Sequence, residues 1–161
     1  MLAKEKEALL VQAGAGKKMQ VIGNEVTVKL AAAETGGEYY VFEVITPAGL
    51  GVPPHVHQHE DEIIEVVDGE FEFMLGGQIY QGTAGSLVHF PRGLPHAFTN
   101  VGSTPGKTMW TVIPGRNFEQ FFDELGALPA GPPDLAKVAA IFSKYDIEIL
   151  PPPGNGGVGG L

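Results

Sequence analysis

Five histidines, His55, His57, His59, His89 and His96, fall between positions 55 and 96, and none lies elsewhere in the 161-residue chain. In an extended strand, residues two apart point to the same side, so His55 and His57 share a face with Cα atoms about 6.5 Å apart. Two imidazoles at that spacing can converge on one ion. A short turn through Gln58–Asp61 lets a new strand begin at Glu62 and bring a carboxylate beside them. Further on, a strand ending near Phe90, a Pro91-Arg92-Gly93 turn and a return strand would deliver His96 to the same neighbourhood. Three neutral imidazoles and one carboxylate suit a divalent transition metal: Fe, Mn, Ni, Co, Cu or Zn. Four protein ligands leave an octahedral ion with open positions, as catalysis or ligand exchange requires. A His-x-His pair also occurs on solvated strands, and spacing alone leaves both readings open.

The elements that must position these groups are short strands. Glycine (23) and proline (13) are abundant, and β-rich runs recur between them at Asn24–Ala32, Glu38–Thr46, Glu62–Val67, Glu70–Leu75, Gln78–Gln81, Ser86–Phe90, His96–Asn100 and Thr108–Ile113. Such spacing reads as a sandwich or small barrel, with Gly76-Gly77 as a hairpin turn. In Glu70–Leu75 the apolar Phe71, Phe73 and Leu75 share one face, and Glu70 and Glu72 the solvated other. After Pro114 the period changes. Phe118, Phe121, Phe122 and Leu125 form one helical stripe, with Asn117 as N-cap and Gly126 as stop. A second helix starts near Asp134 with Leu135, Val138, Ala139 and Phe142 as its stripe, and both stripes read as packing. The chain divides into an N-terminal arm (1–19, with one or two helical turns), a β-domain (20–114), a C-terminal helical extension (115–150) and a Pro/Gly-rich tail (151–161).

Composition narrows the partners. Lys and Arg total 10 against 19 Asp and Glu, a formal charge of −9. An acidic surface repels phosphate backbones and anionic membranes, leaving a small-molecule ligand or substrate as the expected partner. With no cysteine, disulfides, thiolate metal sites and cysteine nucleophiles are excluded. The run Ala8–Val11 is too short for a signal-peptide core or a membrane span, so a cytoplasmic location is the default.

The histidine segments resemble the cupin superfamily. Its first motif, G-x5-H-x-H-x(3–4)-E-x6-G, is met by Gly49, His55, His57, Glu62 and Gly69. Its second, G-x5-P-x-G-x2-H-x3-N, is met by Gly85, Pro91, Gly93, His96 and Asn100. The resemblance implies an all-β double-stranded β-helix, a jelly-roll barrel closed around the site, with short C-terminal helices. It implies His55, His57, Glu62 and His96 as metal ligands, Asn100 as a structural hydrogen-bonder, and a homodimer using the terminal segments as arms. A looser likeness is to small bacterial cupins of the quercetin 2,3-dioxygenase-like group. It is carried by Pro53-Pro54-His55-x-His57, Asp61-Glu62, Phe90–Phe98, Phe118-Glu119-x-Phe121-Phe122 and Tyr145-x-Ile147. That likeness makes Glu62 both ligand and general base in a dioxygenase acting on a small enolic or phenolic compound. A ligand-binding or sensor cupin, and a cupin isomerase or decarboxylase, are the alternatives.

The remaining residues divide between site and surface. Tyr40 and Phe42 on one strand and Trp110 on another are the expected wall of a substrate pocket, with core filling as the competing reading. His59 is expected in a turn facing solvent, His89 pointing outward, Glu60 and Asp61 as loop charges, and Arg92 as a solvated turn residue that could also meet an anionic substrate.

Overall fold

A computed structural model describes residues 6–151. Eleven strands are formed: β1 (Lys17–Val21), β2 (Asn24–Leu30), β3 (Tyr40–Thr46), β4 (Gly51–His57), β5 (Asp61–Asp68), β6 (Phe71–Leu75), β7 (Gln78–Gly82), β8 (Leu87–Phe90), β9 (His96–Asn100), β10 (Gly106–Ile113) and β11 (Ile147–Ile149). Two helices, α1 (Arg116–Gly126) and α2 (Leu135–Lys144), lie between β10 and β11. The strands make a six-stranded sheet in the order β1-β2-β3-β10-β5-β8 and a five-stranded sheet in the order β11-β4-β9-β6-β7. All pairings are antiparallel.

The closed jelly-roll barrel expected from the sequence is not what forms. Neither sheet closes on itself: β1 and β8 are the two edges of one, β11 and β7 the two edges of the other. The fold is a two-sheet, cupin-like sandwich. Strict alternation of inward apolar and outward polar residues is common to sandwiches and barrels. Closure depends on which strands hydrogen-bond to which, and alternation does not encode that.

Alternation does set what faces the interior. On β3 the residues Tyr40, Phe42, Val44 and Thr46 are buried, and on β10 Gly106, Thr108, Trp110 and Val112. Glu62, Ile64 and Val66 of β5 point the same way, as do His96, Phe98 and Asn100 of β9. The chemistry-bearing side chains therefore occupy inward positions in otherwise apolar rows. Asn100 secures the far end of this core, its side-chain amide donating to the carbonyls of Thr46 and Thr104 at 2.9 Å each.

The ends of the chain differ from the sequence expectation. Among the described residues the N-terminal arm contains no helical turn, and β1 begins at Lys17. The expected tail lies outside the described residues apart from Pro151, as do the first five residues of the arm. α1 starts one residue before Asn117, capped by Gly115, and includes Gly126. A Cβ on Gly115 would sit 2.4 Å from the Tyr39 carbonyl carbon, so the strand-to-helix corner is too tight for a side chain there. Asp134 caps α2, its carboxylate accepting from the Ala136 and Lys137 amides. α1 buries Phe118, Phe121 and Leu125 and α2 buries Val138 and Phe142, whereas Leu135 of the expected stripe is exposed. Each such phenylalanine or leucine removed from water contributes about 2 kcal/mol, enough to hold two short helices over one mouth of the sandwich. No helix of the described residues is long and apolar enough to cross a membrane.

Candidate metal centre

The sequence places prolines where the site needs the ladder to break. Pro53 and Pro54 carry no backbone N–H, and the β4–β9 register slips between Val52 and His55. Beyond the slip His55 and His96 pair directly across the two strands. His57 follows on the same face, and β5 begins after the Gln58–Glu60 turn that carries the chain into the other sheet. His55, His57, Glu62 and His96 thereby bring one ligand atom each to within 4.8 Å of one another, and all four side chains are buried.

The contacts within this cluster are those of groups facing a common centre. His96 Nε2 lies 3.0 Å from Glu62 Oε2, and His57 Nε2 lies 3.5 Å from Glu62 Oε1. The His55 ring is 4.4 Å from His96 and 5.0 Å from His57 between centroids. Glu62 Oε2 and His96 Nε2 nevertheless make no hydrogen bond of normal geometry. Orphaned buried polar atoms are costly, and here they point together, as they would around an ion.

The far sides of two rings are tied down by backbone. His55 Nδ1 is 2.7 Å from the Pro53 carbonyl and His96 Nδ1 3.0 Å from the Leu94 carbonyl. Each acceptor is two residues upstream, and each precedes a proline (Pro54, Pro95), which holds its carbonyl in an extended conformation. Nδ1 is thus the donor in both rings, and Nε2 carries the free lone pair toward the cluster. The loop before β9 is braced as well: the Gly93 amide donates to the His57 carbonyl at 2.8 Å, and the Arg92 guanidinium grips the Asp61 carboxylate at 3.0–3.1 Å.

Electrostatics fit a cation-binding role. Burial by itself would raise the Glu62 carboxyl, but the facing His57, His96 and His55 overcome it and hold it at about 2. Burial, reinforced by the neighbouring rings of His96 and His57, pushes His55 down to about 3, so it is neutral and ready to ligate. Burial also opposes a charge on His57, yet Glu62 and Glu60 together raise its pKa above the ordinary imidazole value. Three nitrogen donors and a carboxylate form a site for a divalent transition ion of unspecified identity.

An apolar cavity opens beside the cluster. His55, His57 and Glu62 form its polar end, Phe42, Phe98 and Trp110 its walls, and Phe118, Phe121, Phe122 and Phe142 of the two helices its cover. The cavity is narrow, about 50 Å³, room for a few waters. Of the three residues expected to wall a pocket, Phe42 and Trp110 line this cavity, stacked at 5.8 Å. Tyr40 packs behind them against Phe42, Phe118 and Phe122, its hydroxyl unpartnered and its pKa pushed up by burial.

Residues 41–112 match the profile of the Cupin domain family. That stretch of the chain is a cupin domain. It is 32% identical over 100 residues to a quercetin 2,3-dioxygenase of Bacillus subtilis, a match covering 60% of this chain but only 29% of that protein. Among solved structures, the cupin sandwich superposes on KdgF from a Halomonas species with a TM-score of 0.62 at 18% identity, covering 70% of this chain and 98% of that one. A predicted oxalate decarboxylase from Thermotoga maritima gives 0.59 at 21% identity, covering 65% and 98%. At these identities the two structures speak for the fold alone.

Outside the cupin ligand set, His59 is exposed and paired with Asp146 at 2.9 Å, and His89 is exposed on the outer face of β8. Arg92 is engaged by Asp61 and does not line the cavity. Glu60, expected as a loop charge, is instead only 3% exposed, with Oε2 3.4 Å from His57 Nδ1. The signal in the sequence was its place three residues after a ligand histidine, within the turn that carries the chain between sheets.

Proposed function

We propose that this cupin is a metal-dependent dioxygenase of the quercetinase-like type, acting on a small enolic or phenolic compound. The observation that carries the reading is the juxtaposition of a buried three-histidine, one-glutamate cluster with an aromatic-walled apolar cavity. The likeness to a quercetin 2,3-dioxygenase supports it over the stretch the two chains share. His55, His57, Glu62 and His96 would hold the ion, which supplies Lewis acidity and the electronic means for dioxygen to react with an organic substrate. Glu62, ionised at neutral pH, is the group placed to accept the substrate's hydroxyl proton on a carboxylate oxygen. Phe42 and Trp110 would hold a flat ring by stacking, and Phe118 and Phe122 would exclude bulk water. The narrowness of the cavity means that a ring enters only as these phenylalanines give way.

The working unit is proposed to be a homodimer. Ile79, Tyr80 and Leu87 are exposed on β7 and β8, two of the four sheet-edge strands, where a second copy would shield them. A net charge of −9 favours a small-molecule partner over nucleic acid.

The deciding experiment is oxygen uptake. Metal-free protein is reloaded separately with Fe, Mn, Co, Ni, Cu and Zn and presented with flavonols, enols and phenols. Stoichiometric dioxygen consumption with at least one redox-capable ion is the expected result. Product formed without oxygen uptake would point to an isomerase or decarboxylase, and tight binding without turnover to a sensor. Either result overturns the dioxygenase reading.

A further inference from the structure

Glu60 stands out because its carboxylate is buried beside the cluster without belonging to it. It follows the third histidine of the His55-x-His57-x-His59 run, in the turn between β4 and β5. His59, its neighbour, is exposed, so the turn sends one side chain outward and the next inward. The Glu60 side chain is 3% exposed and that of His57 2%. Their closest atoms, Oε2 and Nδ1, are 3.4 Å apart, a contact that falls short of hydrogen-bond geometry, and neither atom has a hydrogen-bond partner elsewhere.

The comparison with the other two rings gives this contact its meaning. His55 and His96 each follow a proline, and each Nδ1 is satisfied by the carbonyl that precedes that proline. His57 follows Val56 and has no such carbonyl. Glu60 Oε2 stands 3.4 Å from that vacant acceptor place, three residues downstream rather than two upstream. We propose that Glu60 is a positioning residue for the metal centre: its carboxylate accepts the Nδ1–H of His57, aims Nε2 at the cluster, and adds a second buried negative charge for the cation to neutralise. With three neutral imidazoles, Glu60 and Glu62 give the site two negative charges, which match a divalent ion. A histidine ligand backed by a carboxylate is also a stronger donor than one backed by a carbonyl. The inference rests on the cluster being a metal site, and not on the reaction proposed for it.

The test is a Zn²⁺ affinity series by chelator competition on wild type, Glu60→Gln and Glu60→Leu, with imidazole ¹⁵N resonances followed in each Zn²⁺-loaded protein. Outer carboxylates of this kind are worth about 10–100-fold in metal affinity, so Glu60→Leu is expected to weaken Zn²⁺ by that factor. Glu60→Gln keeps an acceptor oxygen without the charge and should fall between the two. The His57 Nδ1–H resonance should be protected from exchange in wild type and Glu60→Gln and lost in Glu60→Leu. Metal-free Glu60→Leu should melt no lower than wild type, because an incompletely paired buried charge has been removed. A purely structural role predicts the reverse: a lower melting temperature with Zn²⁺ affinity unchanged. Should Glu60→Leu fail to fold, wild-type affinity in Glu60→Gln together with an unprotected His57 Nδ1–H in the wild type overturns the proposal. Unchanged affinity in Glu60→Leu overturns the Glu60 role alone, whereas a wild type that takes up no Zn²⁺ overturns the metal centre as well.

Discussion

Replacing Phe118 by alanine tests whether α1 seals the cavity over the cluster. Phe118 is 2% exposed, and its ring lies 4.5 Å from Phe122, 5.5 Å from Phe121, 5.9 Å from Phe42 and 5.6 Å from His57, between centroids. It is the side chain through which a helix of the C-terminal extension touches both the β3 wall and a candidate ligand. Its removal leaves a void against the Phe42 and His57 rings, which are held on strands and cannot collapse fully onto α1. A buried phenylalanine lost in this way costs about 3–5 kcal/mol. For a chain of this length each kcal/mol lowers Tm by about 3 °C, so a drop of about 10 °C is expected in the metal-free protein. The assay is a circular-dichroism melt paired with urea unfolding, in which the midpoint should fall while the m-value holds. The enlarged cavity should also gain affinity for a benzene-sized apolar probe, seen as a rise in Tm on adding the probe to the variant and not to wild type. A Tm within about 3 °C of wild type, or equal probe binding by both proteins, would refute the idea that Phe118 closes the site.

His55→Ala combined with His57→Ala should reduce bound metal from one ion per chain to background, with the far-UV spectrum of the β fold retained; elemental analysis showing a full complement of ion would overturn the ligand set. The metal-free protein should lose stability as pH falls from about 6.5 toward 3, because the unfolded chain protonates this imidazole while folded His55, held at about 3, does not. His57 has the opposite sign and another window: its raised folded pKa adds stability below about 6.5 that is lost as pH rises through the folded value. Melts across pH on wild type and His55→Leu check this, and the acid-side slope should be shallower in the variant. Gly51→Ala would place a Cβ 2.0 Å from the Phe98 carbonyl oxygen across the β4–β9 pair. Strand separation there should cost about 3 kcal/mol and weaken metal binding through the displaced His55–His96 pair, so a variant with wild-type Tm and affinity would show that this close approach is not needed.

The ligand-bearing segments were legible because their chemistry is local. A His-x-His on a strand, a short turn and a glutamate near the start of the next strand bring three groups together through short-range geometry, and the Pro-x-Gly return was read as delivering His96 to them. The strand positions were legible from alternation and glycine punctuation, and eight of the eleven strands overlap runs read directly from the sequence. β4 was read apart from those runs, as the strand carrying His55-x-His57, and β1 and β11 were not read at all. Lys17–Val21 shows an alternation too weak to stand out, and Ile147–Ile149 is a three-residue strand that exists only because β4 offers it an edge. Glu60 was misread for a related reason: a glutamate in a His/Glu/Asp-rich turn looks solvated until the turn's direction into the protein is known.

The likeness to the cupin motifs named the four ligands. By itself the amino-acid sequence determined the alternating rows that point Glu62 and His96 inward and the prolines that expose carbonyls to His55 and His96. Each depends on backbone geometry within a few residues. Tertiary structure alone decided that the sheets stay open as a sandwich, that α1 and α2 cover the cavity with phenylalanines, and that Glu60 turns to face His57. Those outcomes depend on hydrogen bonds and packing between segments distant along the chain. Their cost and gain are settled only when the whole interior is assembled, so no local pattern records them.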